Sequence, residues 1–292
     1  MSISVQLLQF IFTGLTIGSI YAMVGLGFNI IYNATDIINF AQGEFVMIGG
    51  LIMVSLTKRF HIPLLPAFFL TVILVAIIGI LLERLAINPL SNPSIITLII
   101  ITIGASIVFK GLAMLIWGKD TYILPAFSGE TPINIGGAVI IPQSLWVLGI
   151  SLFVVLCLAF FFEKTLVGKA MRACAINRKA ASLMGINVKQ MVMFSFALSA
   201  MLGAVGGIII TPISLMDYQR GTMLAIKGFA AAILGGLGSQ MGAVMAGFII
   251  GVLESLGAGF ISSGYKDVIA LVVLLSVLFF KPTGLFGRME EK

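Results

Sequence analysis

Charge is what this sequence has least of. Only 10% of its 292 residues are Asp, Glu, Lys or Arg, while 60% are hydrophobic, and the mean hydropathy is +1.17. A water-soluble domain carries roughly 25% charged residues, so this chain cannot cover itself against water and its solvent is mainly lipid. Histidine is almost absent: His61 is the single one, close to Pro63, and reads as an interfacial residue. Two cysteines, Cys157 in an apolar run and Cys174 in a basic one, make neither a disulfide framework nor a metal site. The G-x-x-x-x-G-K-[ST] phosphate loop is missing, so ATP hydrolysis is not expected of this chain itself. The G-x-S-x-G elbow and the H-E-x-x-H helix are missing too. With no histidine to partner a Ser or Cys, no catalytic residue is assigned. Transport is the class that remains.

What is present is a series of runs without any ionisable residue, at 1–35, 62–82, 85–109, 131–162, 190–216 and 268–280. A spanning helix needs about 20 mostly apolar residues, and most of these runs are long enough. The alternation of an outer-membrane barrel is absent. The expected fold is all-α, a polytopic transmembrane bundle of about eight or nine helices in a single domain over 1–292. Spans are placed near 5–31, 37–57, 62–84, 93–117, 143–163, 190–213, 222–238, 240–260 and 266–281. The one at 222–238 overlaps "KGFAAAILGGLGSQMG" (227–242), which carries five glycines, and also suits a half-helix or re-entrant segment. The N-terminus has no Lys or Arg ahead of its apolar stretch and reads as a retained first helix rather than a secretory signal.

A net charge of +6 can suggest nucleic acid, but the cations lie in loops between apolar runs, as the positive-inside rule distributes them. Six of them, and no acid, fall between Lys164 and Lys189. Taking that loop as cytoplasmic puts Arg84 and the tail cations Lys281, Arg288 and Lys292 on the same side. Lys58, Arg59, Lys119, Arg220, Lys227 and Lys266 then fall outside or near the outer surface, and Lys110 lies within a span. The N-terminus is outside and the C-terminus inside, provided 222–238 crosses fully. Small residues recur every four positions at Gly14, Gly18 and Ala22, at Ser199, Gly203 and Gly207, and at Ala243, Gly247, Gly251 and Ser255. Such rows let helix backbones approach where lipid supplies no push to associate.

The basic loop contains more than topology requires. In "RACAINRKAASLMGINVKQ" (172–190), Asn177 suits an N-cap and Gly185 a helix stop. Between them Ala180, Leu183 and Met184 form one small apolar face. A helix of about two turns is marginal alone in water, so this one reads as a docking element for a groove on a cytoplasmic partner.

Polar residues cluster where the first two spans meet: Asn29, Asn33, Asp36, Asn39, Gln42 and Glu44. Continued as a helix, Asp36, Asn39 and Gly43 share a face below Met47 and Gly50. An acid at the centre of a span costs at least ~2.5 kcal/mol on insertion scales and faces the bundle interior or water. Asp36 is expected near the cytoplasmic surface, Glu44 about two turns deeper. Glu254 and Lys110 raise the same question, and pairing among distant charges is the reading placed ahead of substrate contact. Asn33, Asp36, Asn39, Gln42, Glu44 and Glu254 are the candidates to line a translocation path.

These segments carry a family resemblance. "KAASLMG" (179–185) resembles the E-A-A-x-x-x-G coupling loop of ABC-importer permeases, with Lys179 in place of the Glu and Ala180, Ala181 and Gly185 matching. "SFAL" (195–198) departs from the rest of that motif. "GLGFNIIYNATDIINFAQGEFVMIGG" (25–50), "ILGGLGSQMGAVMAG" (233–247) and "KPTGLFG" (281–287) together resemble the LivH-type permeases of branched-chain amino-acid ABC transporters, over essentially the whole chain. The resemblance implies a second homologous permease, two cytoplasmic ABC ATPases that use the ATP, and an extracytoplasmic binding protein. It implies no cofactor on this chain and no nucleic-acid partner, and a place in a bacterial or archaeal plasma membrane. Residues 177–187 then transmit closure of the ATPase pair, Leu183 and Met184 by packing, Arg178 and Lys179 by polar contact, and Gly185 by permitting the turn. The implied cargo is an apolar amino acid, which calls for a path with few polar groups and no strong fixed charge. Urea and short amides suit such a path too. The rival readings are an ion-coupled secondary transporter relaying through Glu44, Glu254 and Lys110, and a scaffold that carries nothing.

Overall fold

The computed structural model describes residues 3–90, 93–129, 131–281 and 283–287. The tail cations Arg288 and Lys292 lie outside the described residues. Among those described, the chain forms α1 (Ile3–Thr35), α2 (Gln42–Val54), α3 (Leu64–Leu82), α4 (Ile95–Trp117), α5 (Pro142–Lys164), α6 (Leu166–Ile176), α7 (Arg178–Leu183), α8 (Val188–Ile210), α9 (Arg220–Gly235), α10 (Gln240–Phe260) and α11 (Lys266–Phe280). A two-stranded antiparallel hairpin, β1 (Ile133–Ile135) and β2 (Ala138–Ile140), stands between α4 and α5. It has no counterpart in the sequence reading. Helices α2 and α3 run on into π-helical turns at Ser55–Arg59 and Glu83–Ile87.

Seven helices, α1, α3, α4, α5, α8, α10 and α11, are long and apolar enough to cross a membrane. The chain is therefore a polytopic helical bundle. Helices α2 and α9 have 13 and 16 residues, about 20 and 24 Å at 1.5 Å per residue. Both fall short of a hydrocarbon core of about 30 Å. Each follows an irregular segment, 36–41 or 211–219, that carries the chain part of the way.

Side-chain contacts define two ends. At one, Asp36 reaches Arg178 at the head of α7, Asn33 donates to the Gly238 carbonyl, and the N–H groups of Leu285 and Phe286 donate to the carbonyls of Leu234 and Gly235. At the other, Trp117 donates to Ser55, Tyr122 pairs with Met216, and Gln9 of α1 bonds the backbone of Val139 in the hairpin. The irregular residues 211–219 lead in from the second end, where Met216 pairs with Tyr122, and α9 covers the rest of the way to the first end. The segment at 222–238 is therefore a half-helix and does not cross by itself.

The small-residue rows turn out to be partners. Helix α1 packs on α10, where a Cβ on Gly18 would sit 2.8 Å from the Gly247 carbonyl oxygen and one on Gly247 2.5 Å from the Ala22 nitrogen. The row on α8 receives α2: a Cβ on Gly203 would lie 2.7 Å from that of Phe45. The centre of the bundle is the inner half of α1 with α2 and α8, where Met23, Phe28, Phe45 and Phe196 are fully buried. Helices α4, α5 and α11 keep most of their apolar surface outward, as lipid-facing helices do.

One expected element is corrected. The second span does not begin at 37, because the chain leaves the helix at Asp36, whose φ of +55° is left-handed, a region Asp tolerates better than most residues. Asn39 then accepts from the Ala41 N–H, and the Phe40 N–H donates to Thr102. Side chains thus take backbone groups that a continuous helix would have used. Asp36, Asn39 and Gly43 therefore do not share one helix face.

Candidate functional site

Two places carry the residues singled out from sequence. The first is the basic loop. Helix α6, absent from the sequence reading, is capped by Thr165, whose hydroxyl accepts from the Gly168 N–H at 3.0 Å. Helix α7 is capped by Asn177, accepting from the Ala180 N–H at 3.0 Å. Gly185 ends it at φ +85°, donating its N–H to the Ser182 carbonyl while Ile186 donates to Ala181. Ala181 is buried and pins α7 down. Ala180, Lys179, Leu183 and Met184 are exposed, the last two at 89% and 83%. The expected apolar face is present and bare. Arg178 is engaged within the chain, 2.6 Å from Asp36, and not turned wholly outward for a partner. Within the loop, burial of Cys174 on α6 pushes its thiol up from its ordinary pKa.

The second place is the polar cluster. Asn33 is spent on the Gly238 carbonyl. Gln42 accepts from the Ser199 hydroxyl and donates to the Ser199 carbonyl, binding α2 to α8. Asn39 uses its oxygen on Ala41, and its amide nitrogen is buried with no partner. Glu254 accepts from Tyr21 at 2.9 Å, Lys227 at 2.8 Å and Lys266 at 3.2 Å. Lys227, counted by charge order among the outer cations, is instead buried in this network and also reaches Asp267 at 2.6 Å. Glu254 is thus paired with distant charges as expected, with partners the sequence order did not single out.

Glu44 stands apart from that network. It opens α2, where a carboxylate suits the positive end of the helix dipole, and is 1% exposed. Its Oε1 accepts from Ser106 at 2.9 Å and Thr222 at 3.3 Å. Ser106 is midway along α4, so Glu44 sits halfway between the two ends of the bundle. Its Oε2 has no hydrogen-bond partner and lies over Gly221, where any Cβ would collide with it. Lys110, one turn beyond Ser106 on α4, donates to Thr222 at 3.2 Å. These residues line a cavity of about 220 Å³ together with Phe28, Phe40 and Phe229. Glu44 and Glu254 belong to separate clusters, so the relay imagined for a secondary transporter does not form.

Residues 10–278 match the family described as the branched-chain amino acid transport system permease component. The chain is 34% identical to the high-affinity branched-chain amino acid transport system permease protein BraD of Pseudomonas aeruginosa, over 97% of its length and 96% of the relative's. It is 33% identical to the LivH protein of Salmonella typhimurium over the same shares. This chain belongs to that family. The permease also superposes on a chain of PsaBC from Streptococcus pneumoniae, solved in complex with a Fab, with a TM-score of 0.51 over 96% of this chain and 92% of that one. At 16% identity that likeness speaks for the fold alone.

Sequence reasoning about the permease missed Ser106 and Thr222 entirely. Each is a lone hydroxyl in an apolar run, and nothing at that level separates it from a hydroxyl bonded to its own helix, as Thr71 and Thr211 are. Lys110 was visible as a cation within a span, but its neighbours were not.

Proposed function

We propose that this permease forms the translocation path of an ABC importer for branched-chain, hydrophobic amino acids. It works beside a second homologous permease, two cytoplasmic ATPases that use the ATP, and an extracytoplasmic binding protein. The chain acts as one permease domain in the plasma membrane and needs no cofactor of its own. The loop at 164–189 faces the cytoplasm with the C-terminus, and the N-terminus lies outside.

The observation that carries this reading is the bare apolar face of α7. Leu183 and Met184 project from a capped, pinned helix, which is costly exposure without a partner. The ATPases dock there, and Arg178 hands their movement to Asp36 at the break before α2. Because α2 begins with Gln42 and Glu44, motion of that break reaches the middle of the bundle.

The test is Gly185→Pro in the reconstituted transporter. Proline is locked near φ −65° and lacks the N–H, whereas Gly185 sits at +85° and donates to Ser182. The variant should insert normally yet lose ATP hydrolysis coupled to transport. Coupling at the level of the unaltered protein would sink the docking assignment.

A further inference from the structure

Two deeply buried carboxylates meet opposite fates here. Glu254 is saturated by Tyr21, Lys227 and Lys266. Glu44 is as buried, yet it receives two hydroxyls on one oxygen and nothing on the other, although a carboxylate offers about four acceptor sites. Lys110 donates to Thr222, and an ammonium has three donors. The Thr222 hydroxyl stands between the two charges, and among the described residues no ion pair joins them. Opposite charges inside a lipid-embedded bundle ordinarily close on each other, since each is expensive to bury alone. These are held apart across the wall of a cavity.

The rest of that wall is apolar, three phenyl rings beside Ile103, Ile107, Ala225 and Ile226. Phe229 lies 5.6 Å from Phe28 and 5.9 Å from Phe40 between ring centroids. We propose that this cavity binds a zwitterionic amino acid with an aliphatic side chain. The ammonium donates to Glu44, the carboxylate accepts from Lys110, and the side chain packs on the three rings. The assignment rests on the importer function above and names the substrate site within it.

Size, depth and backbone agree with this. An apolar cavity of about 150 Å³ takes up benzene, so about 220 Å³ suits a molecule somewhat larger, such as leucine. The site is level with the middle of α4. Two short helices, α2 and α9, begin at it, with Gly43 packed against Gly221, and broken helices meeting at mid-depth are how transporters commonly build substrate sites. A neutral solute such as urea uses neither charge, so the pair favours the zwitterion. This replaces the expectation of a path without fixed charge.

The test uses the complete transporter in proteoliposomes. Cys157 and Cys174 are replaced by alanine, and Ile226→Cys places a thiol at the cavity mouth, where Ile226 is exposed. Maleimide labelling of that thiol is followed during turnover with leucine, 4-methylpentanoate, leucinamide or urea. Leucine should slow labelling several-fold, and the analogues lacking either charged group should not. Glu44→Gln or Lys110→Gln should abolish the protection and cut leucine uptake roughly tenfold or more, the factor implied by losing a charge-assisted hydrogen bond. Undiminished leucine uptake in both variants overturns the site and leaves the importer standing. So does a thiol that no solute protects while leucine is still carried. Protection by urea without any uptake of leucine overturns the site and the importer's cargo together.

Discussion

Lys227 reaches Glu254 at 2.8 Å and Asp267 at 2.6 Å, tying α9, α10 and α11 at one point. Removing one member of a buried pair leaves the other uncompensated, which costs about 3–5 kcal/mol. Lys227→Met should fall at the lower end of that range, because Lys266 still reaches Glu254. Glu254→Gln should cost less, since Lys227 keeps Asp267. Thermal unfolding in detergent reads both, and equal losses would contradict this division of partners. The two acids looked alike in the sequence. Which was neutralised depended on Tyr21 and Lys227, 233 and 27 positions from Glu254, and no local pattern announces such partners.

At the scale of elements, caps and rows were legible and breaks were not. Asn177 and Gly185 end α7 as their residue types require, and the rows of small residues were readable because lipid-embedded helices associate by close approach. The break at 36–41 was hidden, because "ATDIINFAQ" has no Pro or Gly before Gly43. Its cause is the capture of backbone groups by Asn39 and Thr102, and Thr102 comes from another helix. The Asp36–Arg178 pair across this break has side chains 67% and 37% exposed, and exposed pairs contribute about 0–1 kcal/mol to stability. Arg178→Asp alone should therefore shift unfolding very little while weakening the response of ATP hydrolysis to substrate. Exchanging both residues, Asp36→Arg with Arg178→Asp, should restore that response. A swap that restores nothing would remove the pair from the coupling route.

For the whole molecule, the arrangement of ends makes a directional prediction. Leu183→Cys, at the exposed tip of α7, should react with a membrane-impermeant maleimide only from the cytoplasmic side. Val139→Cys, on the exposed face of the hairpin, should react only from outside. Reversal of both would invert the topology drawn from charge. The assignment of sides rests on basic loops staying cytoplasmic; α6, α7 and residues 283–287 gather at one end of the bundle.

The sequence by itself determined the solvent, the helical class, the approximate spans and the capped helix in the basic loop. Each follows from composition or from patterns a few residues long, which lipid and helix geometry make compulsory. Only the tertiary structure decided that Glu254 is paired and Glu44 is not, and that two short helices start at mid-depth beside Lys110. Those outcomes depend on Ser106 and Thr222, 62 and 178 positions from Glu44. A hydrogen bond needs its partners within about 3 Å, and a separation in space is fixed only once the helices have packed.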